Sequence, residues 1–311
     1  MQTYIEPFAG SLAVLLGRPE DHERPIETVN DRDGFLANVW RAIAAAPETV
    51  AEHADWPVNE NDLHARHAWL VEQRADLTAR LEGDPDYYDA KIAGWWLWGV
   101  ACWIGGGWCS GAGPWVRRDG KLVHLGDAGQ GVQRQLVHLG NAGQGVNRQL
   151  VHLSNAGRGD PGTGVQGLVA WMRALAERLA RVRVACGDWT RVCTPAVTRS
   201  VCGIVLDPPY SAGERDADIY SCDSGTVAAD VRRWAIDHGD DPRMRIVLCG
   251  YDGEHALPES WSCVAWKAHG GYGRQGEGRG RDNAHRERLW FSPHCLAVQA
   301  PAVQLSLAGA E

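Results

Sequence analysis

No stretch of this chain stays apolar long enough to span a membrane, and no basic segment followed by an apolar one stands at its start. A soluble, cytoplasmic protein is expected. The nine cysteines never form a C-x-x-C pair, and Cys102, Cys202 and Cys249 stand in apolar runs. That pattern argues against a zinc ribbon or a disulfide framework and predicts reduced, buried thiols. His64 and His67 could share a helix face, but no partner ligands stand near them. They are expected on a solvated face, and no metal is expected. Positive charge is also in short supply: the net charge is −8, so the chain as a whole exerts no pull on nucleic acid. The glycine turn near the start falls short of a full G-x-G-x-x-G, since Ser11 and Leu12 follow a single glycine.

What is present fits one large α/β domain with an insertion, since 311 residues exceed a minimal core and 44% are hydrophobic. Charge is uneven along the chain. Residues 112–167 carry Arg117, Arg118, Lys121, Arg134, Arg148 and Arg158 against three aspartates. Residues 266–294 carry six basic residues, Lys267 and Arg274 among them, against three acids. Two Gly-rich segments of local charge +3 are candidate phosphate contacts in an acidic protein.

The most informative stretch is 202–211. Gly203 to Leu206 predicts a short buried strand, which stops on Asp207 because Pro208 and Pro209 forbid both pairing and an immediate helix. A carboxylate, rigid outward carbonyls and the ring of Tyr210 remain at the strand end. Such a corner suits a flat ligand with an amino group, which two acceptors engage while the ring stacks on its face. The same string also describes a Pro-rich turn with a capping aspartate.

Near the start, Tyr4-Ile5-Glu6 predicts a strand, Pro7-Phe8-Ala9-Gly10-Ser11 a turn and Leu12 to Leu16 a short helix. Strand, glycine turn and helix form a nucleotide-type cradle. Ile26 to Val29 predicts a second strand with Asn30-Asp31 at its end. Asp31 lies 21 residues beyond Gly10, about where an acid meets ribose hydroxyls. Helices are expected over 33–46 and 60–81, the latter with Leu63, His67, Leu70 and Leu77 on one face. Of the fifteen tryptophans, Trp95 to Trp103 are expected in the core. Trp108 and Trp115, among glycines, are candidates for a wet interface.

A 14-residue repeat follows, starting at Leu122, Leu136 and, fading, Leu150. Each copy brings one histidine, a Gly-rich turn and one arginine (Arg134, Arg148, Arg158), and fits a DNA-facing element or a duplicated solvent loop equally. Beyond Gly167 the α/β rhythm resumes: helix 165–180, strand 182–186 running into Gly187-Asp188-Trp189, the strand before Asp207, helix 224–238 capped by Ser224, and strands 245–249, 262–267 and 288–291. The pattern predicts one sheet split in sequence by an insertion.

Tyr4-Ile-Glu-Pro-Phe-Ala-Gly-Ser, Asn30-Asp31, Gly187-Asp188-Trp189 and Asp207-Pro-Pro-Tyr210, in that order around an insertion, resemble the Dam-like DNA adenine methyltransferases. The likeness covers about 3–52 and 165–293. It implies a Rossmann-like AdoMet-dependent sheet with helices on both faces. The catalytic domain would comprise 1–52 and 165–295, with a partly helical target-recognition domain inserted at 53–164 and a flexible tail at 296–311. It further implies S-adenosylmethionine (AdoMet) as methyl donor and the exocyclic amine of adenine in double-stranded DNA as acceptor. Tyr4, Glu6, Pro7, Phe8, Ala9 and Gly10 would lie at the cofactor, with Asp31 on its ribose and Asp188 and Trp189 on its adenine. Asp207 and the Pro208 carbonyl would accept from the target amine, with Pro209 stiffening the corner and Tyr210 stacking on the flipped base. Arg117, Arg118, Arg134, Arg148, Arg158, Lys267 and Arg274 would meet DNA. The resemblance leaves open a cognate restriction nuclease as partner, and it does not set the oligomeric state.

The family's aromatic-Gly-Gly-Lys segment before the first strand has no counterpart here: Met1 stands three residues before Tyr4, and Gly270-Gly271-Tyr272 lacks the lysine. A longer natural start or weak cofactor binding would account for that. Two other functions compete with the implied one: a degenerate DNA-binding remnant without catalysis, and a methyltransferase for RNA or protein, which usually carries Asn in place of Asp207.

Overall fold

The computed structural model describes residues 1–18, 25–103, 108–111, 115–118, 121–124, 165–209, 226–266 and 286–296. Tyr210, Arg134, Arg148, Arg158, Lys267, Arg274, Ser224, most of the 14-residue repeats and 297–311 lie outside them.

The first part runs β1 (Thr3–Glu6), α1 (Ala13–Gly17), β2 (Ile26–Asp31), α2 (Gly34–Ala45), α3 (Pro47–Ala54), α4 (Glu60–Gly83) and α5 (Ala90–Cys102). A hairpin of β3 (Trp115–Arg118) and β4 (Lys121–His124) follows. The second part is α6 (Val165–Leu179), β5 (Val182–Cys186), a 3₁₀ turn (Trp189–Arg191), β6 (Cys202–Leu206), α7 (Val227–Gly239), β7 (Met244–Tyr251), β8 (Ser262–Ala265) and β9 (Glu287–Phe291).

Seven strands form one mixed sheet in the order β5-β2-β1-β6-β7-β9-β8. The first five are parallel and β9 runs against both its neighbours. Because strand side chains alternate, each strand feeds two cores. Tyr4, Val29 and Val205 face α2, α3 and α6, while Ile5, Ile204, Leu206 and Ile246 face α7 and Trp261. The chain builds β1 and β2 on one side, then crosses to place β6 on the other side of β1. Neighbouring connections therefore leave β1 and β6 in opposite directions, and their carboxyl ends frame a crevice.

The helices that begin the 53–164 segment have no separate core. Ile92 and Ala93 of α5 and Leu70, Leu77 and Leu81 of α4 pack with Phe35, Val39 and Ile43 of α2, so α3, α4 and α5 extend the helical layer on one face of the sheet. An independent inserted domain is not evident among the described residues. Strand β2 continues through Asn30 and Asp31, two residues further than expected, because both still pair with β5.

The expected solvated face of His64 and His67 is not what forms. His67 is buried, stacked on Trp103 at 4.9 Å, and its Nδ1 accepts from the Cys109 amide. Burial, with His64 and Arg74 adding, pushes its imidazole down to about 4, so it stays neutral and serves packing. Trp108 is likewise packed and not at a wet edge: it lies over Gly99 and donates to the Trp96 carbonyl. Arg66, buried, lies 4.3 Å from the centre of the Trp98 ring and 4.8 Å from that of Trp95.

The described cysteines are all free, and burial pushes the Cys186, Cys193 and Cys202 thiols up to about 12. No helix among the described residues is long and apolar enough to cross a membrane.

Candidate active site

The turn after β1 is held from every side. The Ala9 amide donates to the Asn30 carbonyl at 2.9 Å and the Gly10 amide to Asp31 Oδ2 at 2.8 Å. Trp40 Nε1 donates to the Gly10 carbonyl at 2.9 Å. Gly10 has φ +48°, and Leu12 repeats this left-handed conformation at φ 56° with its side chain fully buried. A leucine there is strained, and its buried side chain holds the turn in place.

At the end of β2, Asp31 Oδ1 accepts from the Asp33 amide at 2.8 Å. Three backbone donors, those of Asp33, Gly10 and Arg32, stabilise the charged carboxylate, but burial outweighs them and pushes its carboxyl up to about 6. Asp33 in turn caps α2 through the Phe35 amide. At the end of β5, Gly187 adopts φ +127°, and the exposed Asp188 caps the 3₁₀ turn through the amide and hydroxyl of Thr190. Trp189 is buried, stacks on Phe8 with ring centres 6.3 Å apart, and meets Trp234 of α7 edge-on.

At the end of β6, Asp207 is exposed and Pro208 buried. Behind Asp207, on the neighbouring strand, Glu6 is buried and accepts from the Tyr4 hydroxyl at 2.5 Å. Burial pushes the Glu6 carboxyl up to about 7, against the Tyr4 hydrogen bond and Arg18, with the Asp207 charge adding to the rise. The Arg18 guanidinium covers the Tyr4 ring and pairs with Glu27, which Arg178 of α6 also grips at 2.7 Å. A buried polar chain thus runs from the start of β2 to the floor beneath Asp207.

These strand ends enclose a cavity of about 260 Å³ lined by Pro7, Phe8, Gly10, Asp31, Arg32, Asp33, Leu36, Gly187, Asp188, Trp189, Asp207, Pro209 and Val227. Pro7, Phe8, Gly10, Asp31, Asp188, Trp189, Asp207 and Pro209, spread over four segments in sequence, therefore meet in one place. Tyr4, Glu6 and Ala9 lie behind its wall instead of on it, and Pro208 is turned into the protein. Arg117 and Arg118 lie on β3. Arg32, Asp33, Leu36 and Val227 were not expected at the site. The pair Asp33-Gly34, a helix cap placed straight after a strand, is the signal that could have found the first three.

The lining holds four carboxylates, Asp31, Asp33, Asp188 and Asp207, against one guanidinium, Arg32. The crevice therefore favours a cationic ligand and repels phosphates. An aromatic wall, flanking carboxylates and two backbone turns suit a nucleoside.

A larger hollow of about 790 Å³ lies outside the edge strand β5, away from these groups. Two of its arginines are engaged by the main chain: Arg41 donates to the Val184, Asp84 and Tyr87 carbonyls, and Arg191 to those of Cys186 and Glu82. They close the sheet edge and tie the α4–α5 connection to it.

No family model matches the chain, and no curated protein is significantly similar to it.

Proposed function

We propose that this protein is an AdoMet-dependent DNA methyltransferase acting on the exocyclic amine of adenine, with a Rossmann-like methyltransferase sheet as its catalytic body. One observation carries the reading: a carboxylate-rich, phosphate-repelling crevice at the β1/β6 switch point, with Asp188-Trp189 at one wall and Asp207 and Pro209 at another. Numbered among the strands of the large sheet alone, the first five stand in the order 3-2-1-4-5 of dinucleotide folds, which bind ligands at this point. The charge of the lining favours a nucleoside that is cationic and lacks phosphates, and AdoMet is such a molecule.

In this reading Asp31 accepts from the ribose hydroxyls. The Asp188 carboxylate accepts from the cofactor adenine amine, and the Trp189 indole packs on its ring. When bound, AdoMet supplies a methyl group already activated on a sulfonium. The chain's own task is alignment and charge. Asp207 and the Pro208 carbonyl accept the two hydrogens of the target amine, which draws its lone pair out of conjugation and offsets the positive charge that grows on nitrogen. Asp207 is exposed, so the proton the amine loses can pass to water. The target base must leave the duplex to reach this corner, at a cost of a few kcal/mol, and Tyr210 would stack on it. Double-stranded DNA would be met by the basic segments 112–167 and 266–294.

Calorimetry of the full chain with AdoMet, followed by sequencing of DNA from expressing cells with adenine modification read out, tests the proposal. Micromolar binding and methylated adenine at a fixed sequence are expected. Absence of binding at millimolar AdoMet would favour the non-catalytic remnant, and binding without DNA methylation would point to RNA or protein as acceptor.

A further inference from the structure

Asn30, the penultimate residue of β2, is only 1% exposed, and its side chain lies behind the crevice, off its lining. Its single amide nitrogen donates to two carbonyls: that of Pro7, where the chain leaves β1, and that of Gly187, where it leaves β5, both at 3.0 Å. Its own carbonyl accepts from the Ala9 amide at 2.9 Å. Three bonds from one residue thus reach two walls that lie on opposite sides of the long insertion in sequence. Pro7 precedes Phe8, and Gly187 precedes Asp188 and Trp189, so the same tie governs how the Phe8 and Trp189 rings stand to each other.

We propose that Asn30 is a positioning residue that sets the width of the nucleoside slot by fastening its two walls to one nitrogen. The identity of the ligand rests on the methyltransferase reading; the tie itself does not. Only a primary amide offers two donors on one atom at this reach. Aspartate would present acceptors to two carbonyl oxygens, and glutamine would force an extra methylene into a filled space. Asn30 Oδ1 is buried without a hydrogen-bond partner among the described residues. Turning the amide over would set that oxygen against both carbonyls, so the fold keeps an unpaired acceptor and both donors stay on the walls.

The test uses Asn30→Asp, which keeps the shape and loses the donors, and Asn30→Ala, which adds no repulsion, each in the full chain. Both are expected to weaken AdoMet at least tenfold by calorimetry. The loss should appear in KM for AdoMet, with kcat on DNA within threefold of the parent. Amide hydrogen exchange should quicken at Ala9, Gly10 and Gly187 together, while α4 and α7 keep their protection. Unchanged affinity, a fall carried mainly by kcat, or quickened exchange at one wall alone would overturn the proposal. Failure of both variants to fold would overturn it too, since Asn30 would then serve the fold as a whole. A parent chain that binds no AdoMet would sink the functional reading, and the exchange pattern would still decide whether Asn30 ties the walls.

Discussion

At the scale of single residues, three carboxyl groups with different surroundings carry the testable chemistry. Asp207 is exposed at a strand end, and in the proposed reading it holds the target amine, so Asp207→Ala should abolish methyl transfer with the fold retained. Retention of more than about a tenth of kcat, a loss of only ~1.4 kcal/mol, would make its assigned role wrong. In the proposed reading Asp31 accepts from ribose most strongly when ionised, and burial pushes its carboxyl up to about 6. AdoMet affinity should therefore rise between about pH 5 and pH 7, with protons released on binding near pH 6, and Asp31→Ala should flatten that profile. Calorimetry in buffers of different ionisation enthalpy reads both.

Glu6 titrates in the opposite sense for stability. Its folded carboxyl, at about 7, lies above its unfolded value of 4.5, so its stabilising contribution is complete below about pH 4.5 and is lost as pH rises through 7. Glu6→Gln keeps an acceptor for Tyr4 and removes the buried ionisation. It should raise stability by about 2–3 kcal/mol at pH 8 and by little at pH 4.5. An equal effect at both pH values in chemical denaturation would refute the cause given for the shift.

At the scale of elements, close helix contacts decide what the local pattern leaves open. A Cβ built on Gly94 of α5 would stand 2.7 Å from the Val50 carbonyl of α3. On an exposed helix Gly→Ala stabilises by up to ~1 kcal/mol. Here overpacking against backbone should win, and Gly94→Ala should cost about 1–3 kcal/mol in urea unfolding. A raised midpoint would show that α3 and α5 do not approach this closely. Most elements were legible because their periodicity is strong: β1, β5 and β6 fell within a residue or two of expectation, as did α4 and α6. Helices α3 and α5 were not. α3 is only eight residues long with one large apolar side chain, Val50, and α5 has apolar residues all round, so neither shows a strong apolar stripe at helical spacing. His67 was placed correctly on the apolar face of α4 but expected in solvent, because nothing in its own helix announces Trp103 and Trp108 from another segment.

At the scale of the whole molecule, β1 stands between β2 and β6, so the sheet needs strands from both sequence halves. If Arg134, Arg148 and Arg158 meet phosphates, changing all three to Ala should flatten the salt dependence of DNA binding by up to roughly 0.9 in slope per lost contact. AdoMet affinity should hold, because the crevice proposed to take it is built from other segments. Deleting one copy, 136–149, should leave the seven-stranded sheet folded. An unchanged salt slope would remove the repeats from the DNA-binding side, and loss of the sheet on excision would make them part of its fold.

The alternation of strands and helices, the order of the strand-end motifs and the residue types at those ends were determined by sequence alone, since each depends on periodicity and on what proline and glycine permit within a few positions. The gathering of Pro7, Asp31, Asp188 and Asp207 around one cavity was decided by the tertiary structure, and so was the withdrawal of Tyr4 and Glu6 behind its wall. Which strand lies beside which depends on crossings far apart in sequence. How strongly a carboxyl is buried, and hence whether it stands near 4 or near 7, depends on what those crossings bring against it.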